Sequence, residues 1–465
     1  MWPTNQTALA LALGLVPLLA VGRLVWVNGA EELLRFRSLG VVVTWIGFQL
    51  VPWIAYLSGA YYHDFLLVSG YVDKGLYFSA LSMIVFMVGA SLRPLPRWAT
   101  FADLRGRLSK PIPLEWFVIA LFLSAGTLLV EIGGPGELFH ADYSRGFGQF
   151  TERVTWTAKA TQMNNVAKPL VDLFLAVCSA NLLYTRRSGV FRGLLAGAGI
   201  AVAMAAGVHG FSRAAGWPLL VLAAYALAVR SPRRWATGAA ACAFMVALGW
   251  VGYHGRGQAN PGLGNFVHVT SNFRELEQQA TAQPNSSTDY SFDAMPPWTR
   301  KAALADEESP GAFNVIAALL EQLNPVPSEL FHPSGMGIDL TVAMRTVGSS
   351  GITTPALGEV YWFGGFTALW MSFVFGIICN QLEQFAVRTP ALLGWLMRCA
   401  CYLSFAIGLH QGVRATTRPF VYCFIVYFLW KFFGRGSQSA STRRALRGGI
   451  RAAGRELVQQ NGNSG

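Results

Sequence analysis

Apolar residues along this chain fall into stretches of about twenty, the length a helix needs to cross roughly 30 Å of hydrocarbon, and polar residues gather between them. About eleven such stretches emerge, near 5–25, 38–60, 75–92, 112–131, 167–185, 189–208, 214–230, 234–252, 355–379, 390–410 and 418–434. The first lacks a positive start and a small-x-small cleavage site, so it reads as a span and not as a removable signal. The pattern predicts an all-α polytopic integral membrane protein. It divides into an N-terminal membrane bundle over 1–252, a large loop over 253–354, a C-terminal membrane bundle over 355–434 and a basic tail over 435–465.

Within the loop, SPGAFNVIAALLEQLNP reads as a capped helix, with Ser309 as N-cap, Pro310 at the first position and Asn324-Pro325 as the stop. It is too short to span, which leaves it on the membrane surface or over the helix ends as part of a lid. The flanking piece from Gln278 to Trp298, rich in Ser, Gln, Asp and Pro, reads as flexible. No internal repeat is evident.

Composition agrees with this class: of 465 residues, 53% are hydrophobic and 13% charged, and the mean hydropathy is +0.39. All six cysteines lie in apolar stretches, which implies helix packing and no disulfide framework. The net charge of +12 would suggest nucleic acid in a soluble domain. Here the cations instead occupy every second connection: Arg23, Arg35 and Arg37; Arg93 to Lys110; Arg186, Arg187 and Arg192; Arg230, Arg233 and Arg234; and the tail. That alternation places these connections in the cytoplasm, the N-terminus outside and the C-terminus inside, and calls for no nucleic-acid partner.

The opposite connections carry the candidate chemistry. A Gly/Ser/Thr-rich loop with one cation, Arg345, leads through Thr354-Pro355 into an apolar helix whose first turns hold Glu359, Tyr361 and a Phe363-Gly364-Gly365 break. Other cations stand at helix mouths on this face: Arg145 and Arg153, Arg213, Arg256, Arg414 and Arg418. Guanidiniums converging from separate loops on the side where cations are disfavoured ask for an anion with several oxygens, and a diphosphate fits. Each single arginine has an alternative as a helix C-terminal cap or a side chain reaching to lipid headgroups. Arg213 and Arg414 sit in turns so short that they stay near the membrane. His209 and Arg213 are four residues apart, as are His410 and Arg414, a spacing that on a helix shares one face and pairs an imidazole with a charge-binding group.

Candidate general bases are Glu359, Asp142 in HADYSRGFG, and His332, with Asp339 also on this face. An acid in the first turns of a membrane helix demands a partner or water, so Glu359 is either a base or half of a buried pair with a mouth arginine. Lys168 and Asp172 are spaced for a local ion pair, and Arg398, in the cytoplasmic half of the tenth span, is placed to snorkel. CxxC pairs, HExxH, DxD, Walker-type loops and a GxGxxG after a strand are absent, which gives no support for a metal or a cofactor.

HGFSRAAGWPLL, NPVPSELF and above all TPALGEVYWFGGFTALWMSFVFGII, together with the large outer loop between the eighth and ninth spans, resemble the Wzy-type polymerases of bacterial surface polysaccharides, the O-antigen polymerases. The resemblance implies a GT-C-like fold in the bacterial inner membrane. It implies a glycosyltransferase that joins oligosaccharide repeat units carried on undecaprenyl diphosphate at the periplasmic face, independent of metal and nucleotide sugar. Its partners would be that lipid-linked substrate, membrane lipids, a chain-length regulator and a flippase. Arg213 and Arg345 match the positions where the family places essential arginines; Arg414 and Arg418 rest on the charge argument alone. O-antigen ligases resemble the chain in topology but carry a His-Asn pair ahead of the ninth span, where this chain has Thr353-Thr354-Pro355. A transporter of the same lipids would show repeated halves and ionisable groups at mid-membrane.

Overall fold

A computed structural model describes residues 5–50, 53, 69–92, 108, 110–132, 134, 158–184, 189–210, 215–256, 262–272, 356–361, 365–409 and 416–432. The helices are α1 (Asn5–Asn28), α2 (Phe36–Trp45), α3 (Ser69–Ser91), α4 (Leu114–Ile132), α5 (Ala158–Tyr184), α6 (Val190–His209), α7 (Trp217–Ala228), α8 (Arg234–Arg256), α9 (Leu263–Ser271), α10 (Ala356–Tyr361), α11 (Gly365–Arg388) and α12 (Ala391–Leu403), followed by α13 over 416–432. Among the described residues there is no strand. The described residues of the eleven apolar stretches lie mostly on helix. By length and composition five helical segments can cross a membrane: Ala8–Asn28, Leu114–Ile132, Ala167–Tyr184, Val190–His209 and Gly365–Arg388. The chain is a helical membrane protein, and large apolar side chains such as Leu19, Phe122, Leu194, Phe244 and Phe366 stand exposed on its helices. Hydrocarbon, unlike water, exacts no cost for that exposure.

Two groups of helices emerge. In the first, α1, α2 and α3 pack with α10 to α13 around Phe36, Phe48, Met83, Phe86, Phe405 and Phe420. In the second, α4 to α7 pack around Phe117, Leu175, Val177 and Tyr225. Trp395 of α12 belongs to the second cluster and meets Tyr225 edge-on at 5.8 Å. Among the described residues α3 and α11 pack backbone against backbone. A Cβ added to Gly89 would overlap the Phe373 carbonyl, and one added to Gly376 would overlap the carbonyl of Phe86. With no side chain at either position the two backbones touch, which is how membrane helices gain dispersion contact where no hydrophobic drive exists.

Connections expected to share a face do meet. Arg230, after α7, bonds to Glu31, between α1 and α2. The Asn181 amide donates to the carbonyls of Leu108 (3.1 Å) and Lys110 (3.0 Å), while its oxygen accepts the Ile112 N–H at 2.8 Å. Tyr225 donates to Leu108 O at 2.7 Å, and the hydroxyls of Tyr184 and Thr237 lie 2.9 Å apart. At the other end of the helices, the Gly262 N–H donates to His209 O at 3.1 Å.

Candidate functional site

Of the ninth apolar stretch, α10 is anchored by Ala356, Leu357 and Val360, all buried in the first helix group, and α11 is described from Gly365; Phe363 and Gly364 of the expected break lie outside the described residues. Glu359 and Tyr361 lie on α10. α12 passes into a π-helical turn, Ser404–Gly408, and reaches buried Leu409, the residue before His410. α2 likewise ends its described length in a π turn, Ile46–Leu50. Such turns insert a residue into the helical ladder and recur at functional sites.

Between these elements is an apolar cavity. Thr44 of α2, Ser82 and Phe86 of α3, Leu357 of α10, Phe375 of α11 and Leu409 line it. The Ser82 hydroxyl, buried in this wall, has no hydrogen-bond partner among the described residues. The cavity is thus shared by Leu357 of α10, the helix that bears Glu359, and by Leu409, the residue before His410.

The other predicted residues are distributed as follows. His209 is half-buried at the last position of α6, which Gly210 caps. Arg418 is half-buried at the start of α13. Asp142, Arg145, Arg213, His332, Arg345, His410 and Arg414 lie outside the described residues, as do Arg153, Asp339 and the loop helix after Ser309.

Three polar features elaborate or correct the sequence reading. Lys168 and Asp172 form the expected pair, and the structure adds Ser124, which donates to Asp172, and Glu131, 3.8 Å from Lys168. Arg398 does not snorkel. It is 2% exposed, 3.1 Å from Glu383 of α11, with the Phe36 ring 5.9 Å away. A carboxylate in the neighbouring helix removes the reason to reach for water. Of the cysteines, Cys178, Cys379, Cys399, Cys401 and Cys423 are buried, as helix packing predicts, whereas Cys242 is exposed on α8; all six are free thiols. Among the described residues no cluster of His, Cys, Asp and Glu is arranged to hold a metal ion.

Compared with protein-family models, with curated proteins and with solved structures, the chain has no match.

Proposed function

We propose that the chain is a glycosyltransferase that polymerises oligosaccharide repeat units carried on undecaprenyl diphosphate, with about eleven spans, a GT-C-like fold, and its chemistry at the periplasmic face of the bacterial inner membrane. The observation that supports the reading is that Leu357 of α10, the helix that carries Glu359, and Leu409, the residue before His410, line one small apolar cavity.

The reaction follows from the charges. A hydroxyl of the acceptor sugar attacks the anomeric carbon of the donor, whose bond to the diphosphate oxygen breaks with its electron pair leaving on that oxygen. Glu359, Asp142 or His332 takes the acceptor proton. Guanidiniums of Arg213, Arg345, Arg414 and Arg418, with Arg145, offset charge that grows on the leaving group, and so act more strongly in the transition state than in the ground state. His209, His410 and Tyr361 complete the substrate contacts. A loop lid over 253–354 limits hydrolysis by excluding water.

The test is elongation by purified protein in vesicles containing lipid-linked repeat units. A ladder of products without lipid A core is expected. A strict requirement for lipid A core as acceptor would make the chain a ligase, and transfer of labelled lipid between leaflets with no elongation would make it a transporter.

A further inference from the structure

Between α4 and α5 one ammonium faces two carboxylates. α4 starts beside Asn181, in the last turn of α5, and finishes beside Lys168, in the first half of that helix. Lys168 and Asp172 lie one turn apart on α5 and are both buried, and Asp172 also accepts from the Ser124 hydroxyl of α4. That carboxylate is therefore filled by two donors from two helices. Glu131, the next-to-last residue of α4, is different. Its carboxylate stands 3.8 Å from the Lys168 Nζ, too far for a hydrogen bond, and its side chain is 43% exposed where that of Lys168 is 7% exposed.

Lys168 is left short of acceptors. An ammonium carries three donors, and among the described residues Lys168 uses one hydrogen bond, to Asp172. A buried cation with open donors calls for another acceptor. The chain also keeps the space in front of it clear. Gly134 takes a left-handed φ of 126°, its N–H donates back to Leu129 O at 3.0 Å, and a Cβ built on it would meet nothing within 4 Å. α4 thus closes in a glycine turn, and the rim beside Glu131 stays open.

The gap between the two side chains sets the chemistry of what fits there. A group lying between Lys168 and Glu131 must accept from an ammonium and donate to a carboxylate at once, which a hydroxyl does. An anion meets two carboxylates against one cation, and a cation meets the ammonium. We infer that Lys168 and Glu131 form a subsite for a sugar hydroxyl at the ends of α4 and α5, with Asp172 and Ser124 holding the ammonium beneath the rim. The choice of a sugar over another alcohol rests on the polymerase reading; the demand for a hydroxyl rests on the geometry alone.

Carbodiimide coupling of glycine ethyl ester to Glu131 in the full-length protein, mapped by mass spectrometry, tests it. The coupling is run alone and with glucose, galactose, rhamnose, N-acetylglucosamine or glycerol. At least one sugar is expected to slow coupling at Glu131 several-fold while leaving Glu115, exposed at the other end of α4, unchanged. Lys168→Gln should abolish that protection. Should this variant fail to fold, Glu131→Gln, at an exposed position, is expected to lose the saturation-transfer signal that the same sugar gives with the wild type. No protection by any of the sugars, equal protection by glycerol, or a sugar signal unchanged in Glu131→Gln would overturn the inference. Because coupling reads binding and needs no elongation, a wild type protected by a sugar that builds no polymer keeps the subsite and loses the polymerase reading.

Discussion

Arg398 and Glu383 lie fifteen residues apart on adjacent helices, both nearly excluded from solvent and 3.1 Å from each other. Two charges taken out of water together recover part of the desolvation cost, whereas one left alone recovers none. Arg398→Met alone should therefore destabilise the protein by about 3–5 kcal/mol, and adding Glu383→Leu should restore much of that loss. Thermal unfolding of the wild type and both variants in detergent measures it; a double variant as unstable as the single one would show that the pair is not what holds these helices. The residue scale is also where the sequence is least informative. Lys168 and Asp172 are legible because four residues on one helix make them neighbours. Glu383 and Ser124 are not, since each finds its partner through packing between helices. Arg398 was accordingly expected to reach toward water, and instead it turns inward to a carboxylate in α11.

At the scale of elements, the crossing of α3 and α11 depends on two missing side chains. Gly89→Leu or Gly376→Val forces the backbones apart, so each should cost about 3 kcal/mol, the upper part of the range for overpacking. Gly193→Ala, where an added Cβ meets nothing within 4 Å, should change stability by no more than about 0.5 kcal/mol. Unfolding midpoints compared across these three variants check the contrast, and equal effects at Gly376 and Gly193 would contradict the close approach. Apolar run length was enough to locate these helices, because hydrocarbon imposes it on every span. The π turns at Ile46–Leu50 and Ser404–Gly408 were not legible, since their sequences, IGFQL and SFAIG, carry no Pro and no local pattern that departs from an α-helix.

For the whole molecule, the alternation of basic connections anticipated which helix ends meet, and Arg230 with Glu31, Asn181 with Leu108 and Tyr184 with Thr237 bear this out as spatial facts. At the opposite end Leu357 of α10 and Leu409 line one cavity and Phe420 of α13 packs in the same cluster, so the helix that carries Glu359 and the start of α13, with Arg418, belong to one region of the bundle. The central claim is that arginines distant in sequence act on one diphosphate there. Its most direct measurement is the rate of repeat-unit elongation in vesicles by the wild type and by Arg213→Ala, Arg345→Ala and Arg414→Ala, each verified as folded. The account predicts losses on the order of a hundredfold for each alanine, the scale of removing one donor to a developing negative charge, with partial recovery by lysine. A triple alanine variant that builds polymer at the wild-type rate would contradict it.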